Sequence, residues 1–305
     1  MPESFCRAGD VEICFETFGK PEDPALLLVM GLAMQMLGWH EDLCEELAGR
    51  GFFVIRYDNR DVGRSTRMTG RAPTLWQLIR RDKRAASYQL TDMANDGIAI
   101  LDHLGIAKAH VVGASMGGMI AQTLVAQNPD RVLSLTSIMS NTGALWSGQP
   151  KLGVMGMLLG KVPSDREAYI DRIAKMFTMI GSPGFPPDEQ DLRERAGMAY
   201  DRGINPAGTA RQLAAIIASG DRSPMLASIH VPTLVIHGDA DRLVAPSGGK
   251  ATARAIPGAR LMTIEGMGHD IPRALWPRLV DAIVENAGRA GFEGSAAAPP
   301  QTAAG

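Results

Sequence analysis

Cysteine is scarce in this sequence of 305 residues, which contains only Cys6, Cys14 and Cys44. An odd number of thiols cannot form a fully paired disulfide framework, and none of the three lies in a CxxC spacing. The first residues, MPESFCRAGD, also lack the apolar run of a secretory signal. We therefore expect reduced thiols and, by default, a cytoplasmic protein.

Long apolar runs and an excess of one charge sign are also absent. The longest apolar stretches, such as residues 25–30, are far shorter than the roughly 20 residues that a bilayer crossing needs. The net charge is −2, and acidic and basic residues are interspersed. Neither a membrane nor a nucleic acid is expected as partner, and we expect a small-molecule substrate.

Common cofactor motifs are missing as well. The sequence has no GxGxxG or GxxxxGK[ST] string, and no histidine–cysteine–carboxylate cluster with metal-ligand spacing. We therefore predict no cofactor and no metal. Hydrophobic residues make up 45% of the chain, enough for one large α/β domain with a sizeable core.

Strand and helix patterns alternate through the first 140 residues and again after residue 229. This alternation predicts a mostly parallel, doubly wound sheet. The predicted strands are residues 11–18, 25–30, 52–57, 109–113, 131–139, 233–237 and 260–264. The predicted helices between and after them are residues 39–50, 91–104, 116–127, 247–255 and 272–285.

The alternation is interrupted from about Asn141 to Ser228. Helical patterns rich in Met, Ala and Arg occur there, separated by Gly and Pro, without a convincing strand. We predict a helical cap at residues 141–228, inserted between two parts of the core, 1–140 and 229–287. Residues 288–305 have the composition of a flexible tail.

A GxSxG motif lies between a predicted strand and a predicted helix, at Gly113-Ala114-Ser115-Met116-Gly117. A sharp turn at such a junction holds a nucleophilic serine above the edge of the sheet. The alternative is a turn of small residues around a buried serine. Ser115 is the candidate nucleophile because the residues described next supply its partners.

A serine hydroxyl needs a base, and the base needs an orienting acid. Asp241 follows the strand at 233–237, and His269 follows the next strand, in a glycine-rich loop. Both therefore belong to the sheet edge that carries Ser115. Asp239 competes with Asp241, but we expect it to stay near the strand end and shape the turn. The loop after the 131–139 strand contains no carboxylate.

Two backbone N–H groups are expected to stabilise the oxyanion that forms during acyl transfer. One belongs to Met116, at a helix N-terminus. The second is expected from the loop after the 25–30 strand, at Leu32.

Five segments resemble the α/β-hydrolase superfamily, and within it the aclacinomycin methylesterase-like esterases: LLLVMG, WHEDLCEELAGRGFFVIRYDNRDVGRST, HVVGASMGG, VPTLVIHGDADRLVAP and GMGH. The resemblance implies the α/β-hydrolase fold, a helical cap and a triad of Ser115, Asp241 and His269. The chain departs from many members by having Met30-Gly31 where they have His-Gly, so local hydrogen bonding in the oxyanion loop must differ. A serine nucleophile argues against the dehalogenase and epoxide hydrolase branches.

These features predict a serine hydrolase that cleaves a carboxylic ester or lactone of a small, mainly apolar substrate through an acyl-enzyme. Perhydrolysis, C–C cleavage or a lyase reaction by the same triad remain alternatives, as does a binding protein that keeps the fold.

The pocket is expected to be rich in methionine, because the chain has 17 Met but only 5% aromatic residues. Ordinary packing is the alternative for each candidate. The candidates are Met34, Met36, Trp39, Met119, Trp146, Met155 and Met157. In the polar loop at 58–66 we expect Arg60, Asp61, Arg64 and Ser65 to form a structural network, with a substrate role for Arg60 or Arg64 as the alternative.

Overall fold

A computed structural model describes residues 2–292, apart from residues 152, 155 and 157–159. Within these residues, eight strands form one sheet. They are β1 (Ser4–Ala8), β2 (Val11–Phe18), β3 (Ala25–Val29), β4 (Phe53–Tyr57), β5 (Ala109–Ala114), β6 (Val132–Ile138), β7 (Thr233–Gly238) and β8 (Arg260–Ile264). Their spatial order is β1-β2-β4-β3-β5-β6-β7-β8.

Helices connect the strands and lie on both faces of the sheet. The helices named below are α1 (Glu41–Gly49), α2 (Leu75–Ile79), α3 (Leu90–His103), α4 (Met116–Gln127), α5 (Arg166–Ile180), α6 (Glu189–Arg202), α7 (Pro206–Ser219), α8 (Ser223–Leu226), α9 (Ser247–Ala255) and α10 (Trp276–Gly288).

The strand directions determine where the loops meet. β2 runs antiparallel to both β1 and β4, and the other neighbouring strands are parallel. The carboxyl ends of β3, β5, β7 and β8 therefore lie at one edge of the sheet, which is the usual place for a ligand site in a doubly wound fold. The predicted parallel α/β sheet is confirmed.

The core is divided by the sheet into two apolar layers. Alternate residues of β3 point to opposite faces, so Leu27 packs with α3 and α4, whereas Leu26 and Leu28 pack with α1 and α10. All three leucines are fully buried. A strand covered on both faces is expected to be continuously apolar, which explains the ALLLV sequence of β3.

The segment between β6 and β7 carries α5 to α8, and its described residues contain no strand. Buried ion pairs join it to the loop after β4. Arg211 on α7 contacts both carboxylate oxygens of Asp61, at 2.7 and 2.8 Å, and Arg202 on α6 donates to Asp58 at 2.9 Å. The domain limits proposed above, with a cap at 141–228, remain a prediction.

Two details at the termini differ from the prediction. β1 was not predicted, because its sequence SFCRA shows neither an apolar run nor a clear alternation. In the structure only Cys6 of this strand is buried. At the other end, Phe292 stacks on the buried Phe52, with ring centroids 4.1 Å apart, although the sequence assigned it to the tail. Residues 293–305 lie outside the described residues.

None of the helices in the described part of the chain combines the length and hydrophobicity that crossing a bilayer requires.

We expect Leu27→Ala to lower the free energy of unfolding by about 2–5 kcal/mol, because the truncation leaves a cavity in a fully buried layer. Urea denaturation monitored by circular dichroism measures the change. Leu261→Ala is the matched control: Leu261 is 40% exposed on the edge strand β8, so its loss should cost at most about 0.5 kcal/mol. Equal losses in the two variants would contradict the layer assignment.

Candidate active site

Ser115 lies at the turn between β5 and α4 and has a φ of +57° and a ψ of −120°. Non-glycine residues rarely adopt a positive φ, so neighbouring contacts must hold this conformation. The Ser115 N–H donates to the carbonyl of Ile138 at the end of β6, at 2.9 Å, and its own carbonyl accepts from Met119. The turn leaves the side chain partly exposed at the carboxyl edge of the sheet.

The glycines of the motif are required by close backbone contacts. A Cβ on Gly113 would lie 2.2 Å from the carbonyl oxygen of Gly117, and one on Gly117 would lie 2.1 Å from that of Val29. Both distances are far below van der Waals contact. Any larger residue at either position would therefore displace β3 or α4 and move Ser115.

A hydrogen-bonded chain joins Ser115 to the two predicted partners. The Ser115 Oγ lies 2.9 Å from His269 Nε2, and His269 Nδ1 lies 2.7 Å from Asp241 Oδ2. An ionised carboxylate has no proton to donate, so His269 Nδ1 must carry the proton of its bond to Asp241. Nε2 is then unprotonated and can accept from the serine hydroxyl. The structure thus brings together the three side chains selected from the sequence.

Asp241 is fully buried and well provided with donors. Its Oδ1 accepts from the N–H groups of Leu243 and Val244, at 2.9 and 2.8 Å. Burial alone would raise the pKa of Asp241, but the charges and hydrogen bonds of His269 and His237 outweigh it and hold this pKa well below its ordinary value. The carboxylate is therefore ionised at neutral pH.

Asp239, the competing acid, has a different position. It is exposed, and its Oδ1 accepts from the N–H of Gly266 at 2.8 Å. This bond joins the loop after β7 to the loop after β8. Asp239 thus shapes the turn, as expected from the sequence.

The two expected oxyanion donors face the same cavity as Ser115. Met116 is the first residue of α4, so its N–H has no acceptor within the helix. Leu32 lies in the turn after β3, and a Cβ on the preceding Gly31 would be 3.1 Å from that of Ser115. Among the described residues, no hydrogen-bond acceptor is present for either N–H group.

Side chains from distant segments fix the oxyanion loop. Gln212 on α7 accepts from the N–H of Ala33 at 2.9 Å and donates to the carbonyl of Arg60. Asp58 accepts from the N–H of Met36 at 2.7 Å, and Asn59 donates to the carbonyl of Met30 at 2.8 Å. These bonds lie in the loop where this chain has Met30-Gly31 and many members of the family have His-Gly.

The histidine loop is fixed by the end of α5 and the residues that follow it. The His269 N–H donates to the carbonyl of Ile180 at 2.7 Å. Ser182 Oγ accepts from the Gly268 N–H at 2.8 Å and donates to the carboxylate of Asp270. Burial raises the pKa of Asp270, whereas its bond to Ser182 acts in the opposite direction.

A cavity of about 760 Å³ opens beside Ser115 and His269. Its wall is mainly apolar and includes side chains of the core and of the segment between β6 and β7. Examples are Leu43, Met139, Phe177, Leu192 and Ile217. A cavity of this size accommodates a small organic ester.

The pocket candidates from the sequence divide into two groups. Met34 and Met119 line the cavity, whereas Met36 and Trp39 do not and are buried in the protein. The Trp39 side chain packs with the buried residues of α1 and of the strands, and its backbone carbonyl accepts from the buried Arg56. The interpretation of Trp39 as a pocket residue was therefore wrong.

Trp146 also does not line the cavity, because its side chain is 96% exposed on the surface. Its neighbours Ala144 and Gly148 do line the cavity, so the segment borders the cavity while the Trp146 side chain lies on the surface. Met155 and Met157 lie outside the described residues.

The polar loop after β4 has the contacts of a structural network. Arg60 pairs with both oxygens of Asp96 at 2.7 Å, Arg64 pairs with Glu3, and Ser65 Oγ accepts from the Cys14 N–H. Neither Arg60 nor Arg64 lines the cavity. These contacts agree with the structural interpretation rather than the substrate-binding one.

Gln212 and Ser182 were missed by the sequence reasoning. A single glutamine in a helix has no sequence pattern that indicates its contacts. Ser182 lies in one of the Gly- and Pro-rich breaks between helical patterns, where a serine is common. Their partners lie far away in the sequence, so only the folded chain brings them to the oxyanion and histidine loops.

Within the described ranges, no group of three or more His, Cys, Asp or Glu side chains is arranged to hold a metal ion.

Comparison with known proteins gives the family. The family model for the alpha/beta hydrolase fold matches residues 24–272. Rhodomycin D methylesterase DauP from Streptomyces sp. (strain C5) is 31% identical, over 93% of this chain and 97% of its own length. The 3-oxoadipate enol-lactonase 2 of Acinetobacter baylyi is 28% identical, over 85% of this chain and 86% of its own.

Solved structures show the same fold. The enol-lactonase from Burkholderia xenovorans LB400 superposes with a TM-score of 0.71 at 22% identity, covering 93% of this chain and 99% of the other. An esterase from Thermogutta terrifontis gives a TM-score of 0.71 at 23% identity, covering 96% of this chain and 100% of the other. By its sequence match and its architecture, this chain belongs to the α/β hydrolase fold family, as the resemblance of its motifs predicted.

Proposed function

We propose that this protein is a serine hydrolase that cleaves a carboxylic ester or lactone of a small, mainly apolar molecule. The observation that carries the proposal is the hydrogen-bonded chain from Ser115 Oγ through His269 to Asp241, at 2.9 and 2.7 Å. The relatives support it, because one is named a methylesterase and another an enol-lactonase.

In the first half-reaction, Ser115 Oγ attacks the ester carbonyl while His269 Nε2 takes its proton. The buried Asp241 carboxylate stabilises the imidazolium that forms. The N–H groups of Met116 and Leu32 donate to the oxyanion of the tetrahedral intermediate. The intermediate collapses to an acyl-serine, and His269 protonates the leaving alcohol.

In the second half-reaction, a water molecule attacks the acyl-serine and gives its proton to His269. A second tetrahedral intermediate forms at the same oxyanion donors and expels Ser115 Oγ, which recovers the proton. The products are the free carboxylic acid and the unchanged enzyme. A lactone would follow the same steps, except that the leaving oxygen remains covalently attached to the acyl group, so that hydrolysis gives a single hydroxy acid.

We expect Ser115→Ala to lower kcat for 4-nitrophenyl esters by about 10⁴-fold or more, because no other nucleophile is aligned with His269. A fluorophosphonate probe should label the wild-type protein and not this variant. Ser228→Ala, on the exposed surface, is the matched control and should keep both labelling and turnover. Full turnover by Ser115→Ala would overturn the proposal.

We expect Asp241→Asn to lower kcat by about 10⁴-fold, because the amide cannot stabilise the imidazolium and favours the wrong tautomer. Asp239→Asn is the matched control. The asparagine side-chain oxygen can still accept from Gly266, so kcat should change by less than about threefold. Similar losses in both variants would contradict the choice of Asp241.

The lowered pKa of Asp241 also predicts how the free energy of unfolding depends on pH. Folding favours the ionised carboxylate, so its stabilising contribution is fully present above the unfolded pKa of about 4 and is lost as the pH falls below it. The difference in unfolding free energy between wild type and Asp241→Asn should therefore be largest near neutral pH and shrink in acid. A difference that grew in acid would argue against the ionised state.

Ser182 positions the histidine loop, so Ser182→Ala should lower kcat by about tenfold or more while KM changes by less than about twofold. The physical reason is the loss of the acceptor for the Gly268 N–H next to His269. The rate of fluorophosphonate labelling should fall in parallel, because it also depends on His269. A purely structural role would lower the denaturation midpoint and leave kcat of the folded protein unchanged, which would contradict this assignment.

A further inference from the structure

Arg195 projects from α6 into the cavity wall without a partner. Helix α6 turns one face towards the cavity. The residues of this face, at helical spacing, are Asp191, Leu192, Arg195, Ala196 and Ala199. Arg195 is the basic residue of this face and Asp191 the acidic one, and the side chain of Arg195 is half-buried. No carboxylate lies within salt-bridge distance of it in the described part of the chain, and no hydrogen-bond acceptor is present.

Four other shielded arginines pair with a carboxylate, whereas the buried Arg222 donates to the backbone carbonyls of Gly220 and Asn141. Arg56 pairs with Glu16, Arg60 with Asp96, Arg202 with Asp58, and Arg211 with Asp61. The fold therefore pairs these guanidinium groups when it withdraws them from water, since an unpaired buried charge is costly. Arg195 differs from these four arginines, and it lines the cavity that contains Ser115 and His269.

Acids near Arg195 are engaged elsewhere. Asp191, one turn earlier on α6, has its carboxylate 3.6 Å from His40 Nε2, and Glu41 lies 3.1 Å from Arg56. Burial lowers the pKa of Arg195, the nearby charges of Arg56 and Arg273 lower it further, and Asp191 and Glu41 only partly offset this. Arg195 thus has acids nearby but, in the described part of the chain, no carboxylate in direct contact.

The neighbouring cation at the cavity rim does not share this feature. Arg273 pairs with Asp42 at 2.8 Å, and its guanidinium lies 4.5 Å from the ring centre of Trp276. Its side chain is also largely exposed. Arg273 is therefore engaged at the surface, whereas Arg195 is available to a ligand.

We propose that Arg195 binds a carboxylate carried by the substrate at a distance from the ester that Ser115 attacks. The preferred substrate is then a half-ester or lactone acid with an apolar middle, which fits a cavity whose remaining wall is mainly apolar. A planar guanidinium suits this role because it can donate two parallel hydrogen bonds to one carboxylate. This inference rests on the proposed ester hydrolysis.

The test compares two substrates of equal length, mono-4-nitrophenyl adipate and 4-nitrophenyl hexanoate, which differ by the terminal carboxylate. Wild type should have the lower KM for the adipate half-ester. Arg195→Gln should raise that KM by about 10- to 100-fold and leave KM for the hexanoate within about threefold. Arg195→Lys should raise the KM for the adipate half-ester less than Arg195→Gln does, because lysine keeps the positive charge but lacks the planar guanidinium group.

Arg193→Gln is the matched control. Arg193 lies two residues earlier on α6, pairs with Asp171 at 2.9 Å and does not line the cavity. The Arg193→Gln substitution removes the same charge from the same helix. A similar change in KM in both variants would therefore mean a long-range charge effect and would overturn the assignment to Arg195. Unchanged KM values for both esters in Arg195→Gln would overturn it as well.

Binding separates this inference from the proposed function. Calorimetric titration of the Ser115→Ala protein with mono-4-nitrophenyl adipate measures affinity without turnover, and the double variant with Arg195→Gln should bind about 10- to 100-fold more weakly. If wild type hydrolyses neither ester while this difference holds, the esterase proposal fails and the carboxylate site stands. If both esters are hydrolysed and the difference is absent, only the carboxylate site fails.

Discussion

The site depends on a strained turn at Ser115, whose φ of +57° places Oγ beyond the edge of the sheet. A strained residue of this kind costs of order 1–3 kcal/mol and persists only where its surroundings leave no alternative. Here β3, β5 and α4 approach so closely that Gly113 and Gly117 have no room for a Cβ. The same close approach brings the loop after β3 beside the serine. Ser115 and the proposed oxyanion donors are thus positioned by one packing constraint.

Much of this arrangement could be predicted from the sequence, because it follows from chain direction. Parallel strands joined by helices end at one edge, so residues just after β5, β7 and β8 must lie near each other. This is why the sequence predicts that Ser115, Asp241 and His269 lie together. The strand β8 was also predicted with its observed bounds, because turn residues flank its short run.

Other features of the fold and of the site have no local sequence pattern from which they could be predicted. β1 is a short edge strand with a single buried side chain, so neither alternation nor an apolar run identifies it. Trp39 was expected at the cavity, but the side chain of an aromatic residue after a loop can turn towards the cavity or towards the core, and that of Trp39 is buried in the core. Ser182 and Arg195 matter through partners, or through the lack of one, that only the folded chain defines.

The segment between β6 and β7 holds both halves of the site: Gln212 binds the oxyanion loop, and Ile180 binds the backbone of His269. The sheet beneath does not need these bonds for its own core. Local opening of a protein can require much less free energy than complete unfolding. Heating should therefore release this segment first and separate His269 from the oxyanion donors while the strands remain paired. Inactivation by heat would then precede the loss of secondary structure, and cooling would restore activity as long as the sheet had not unfolded.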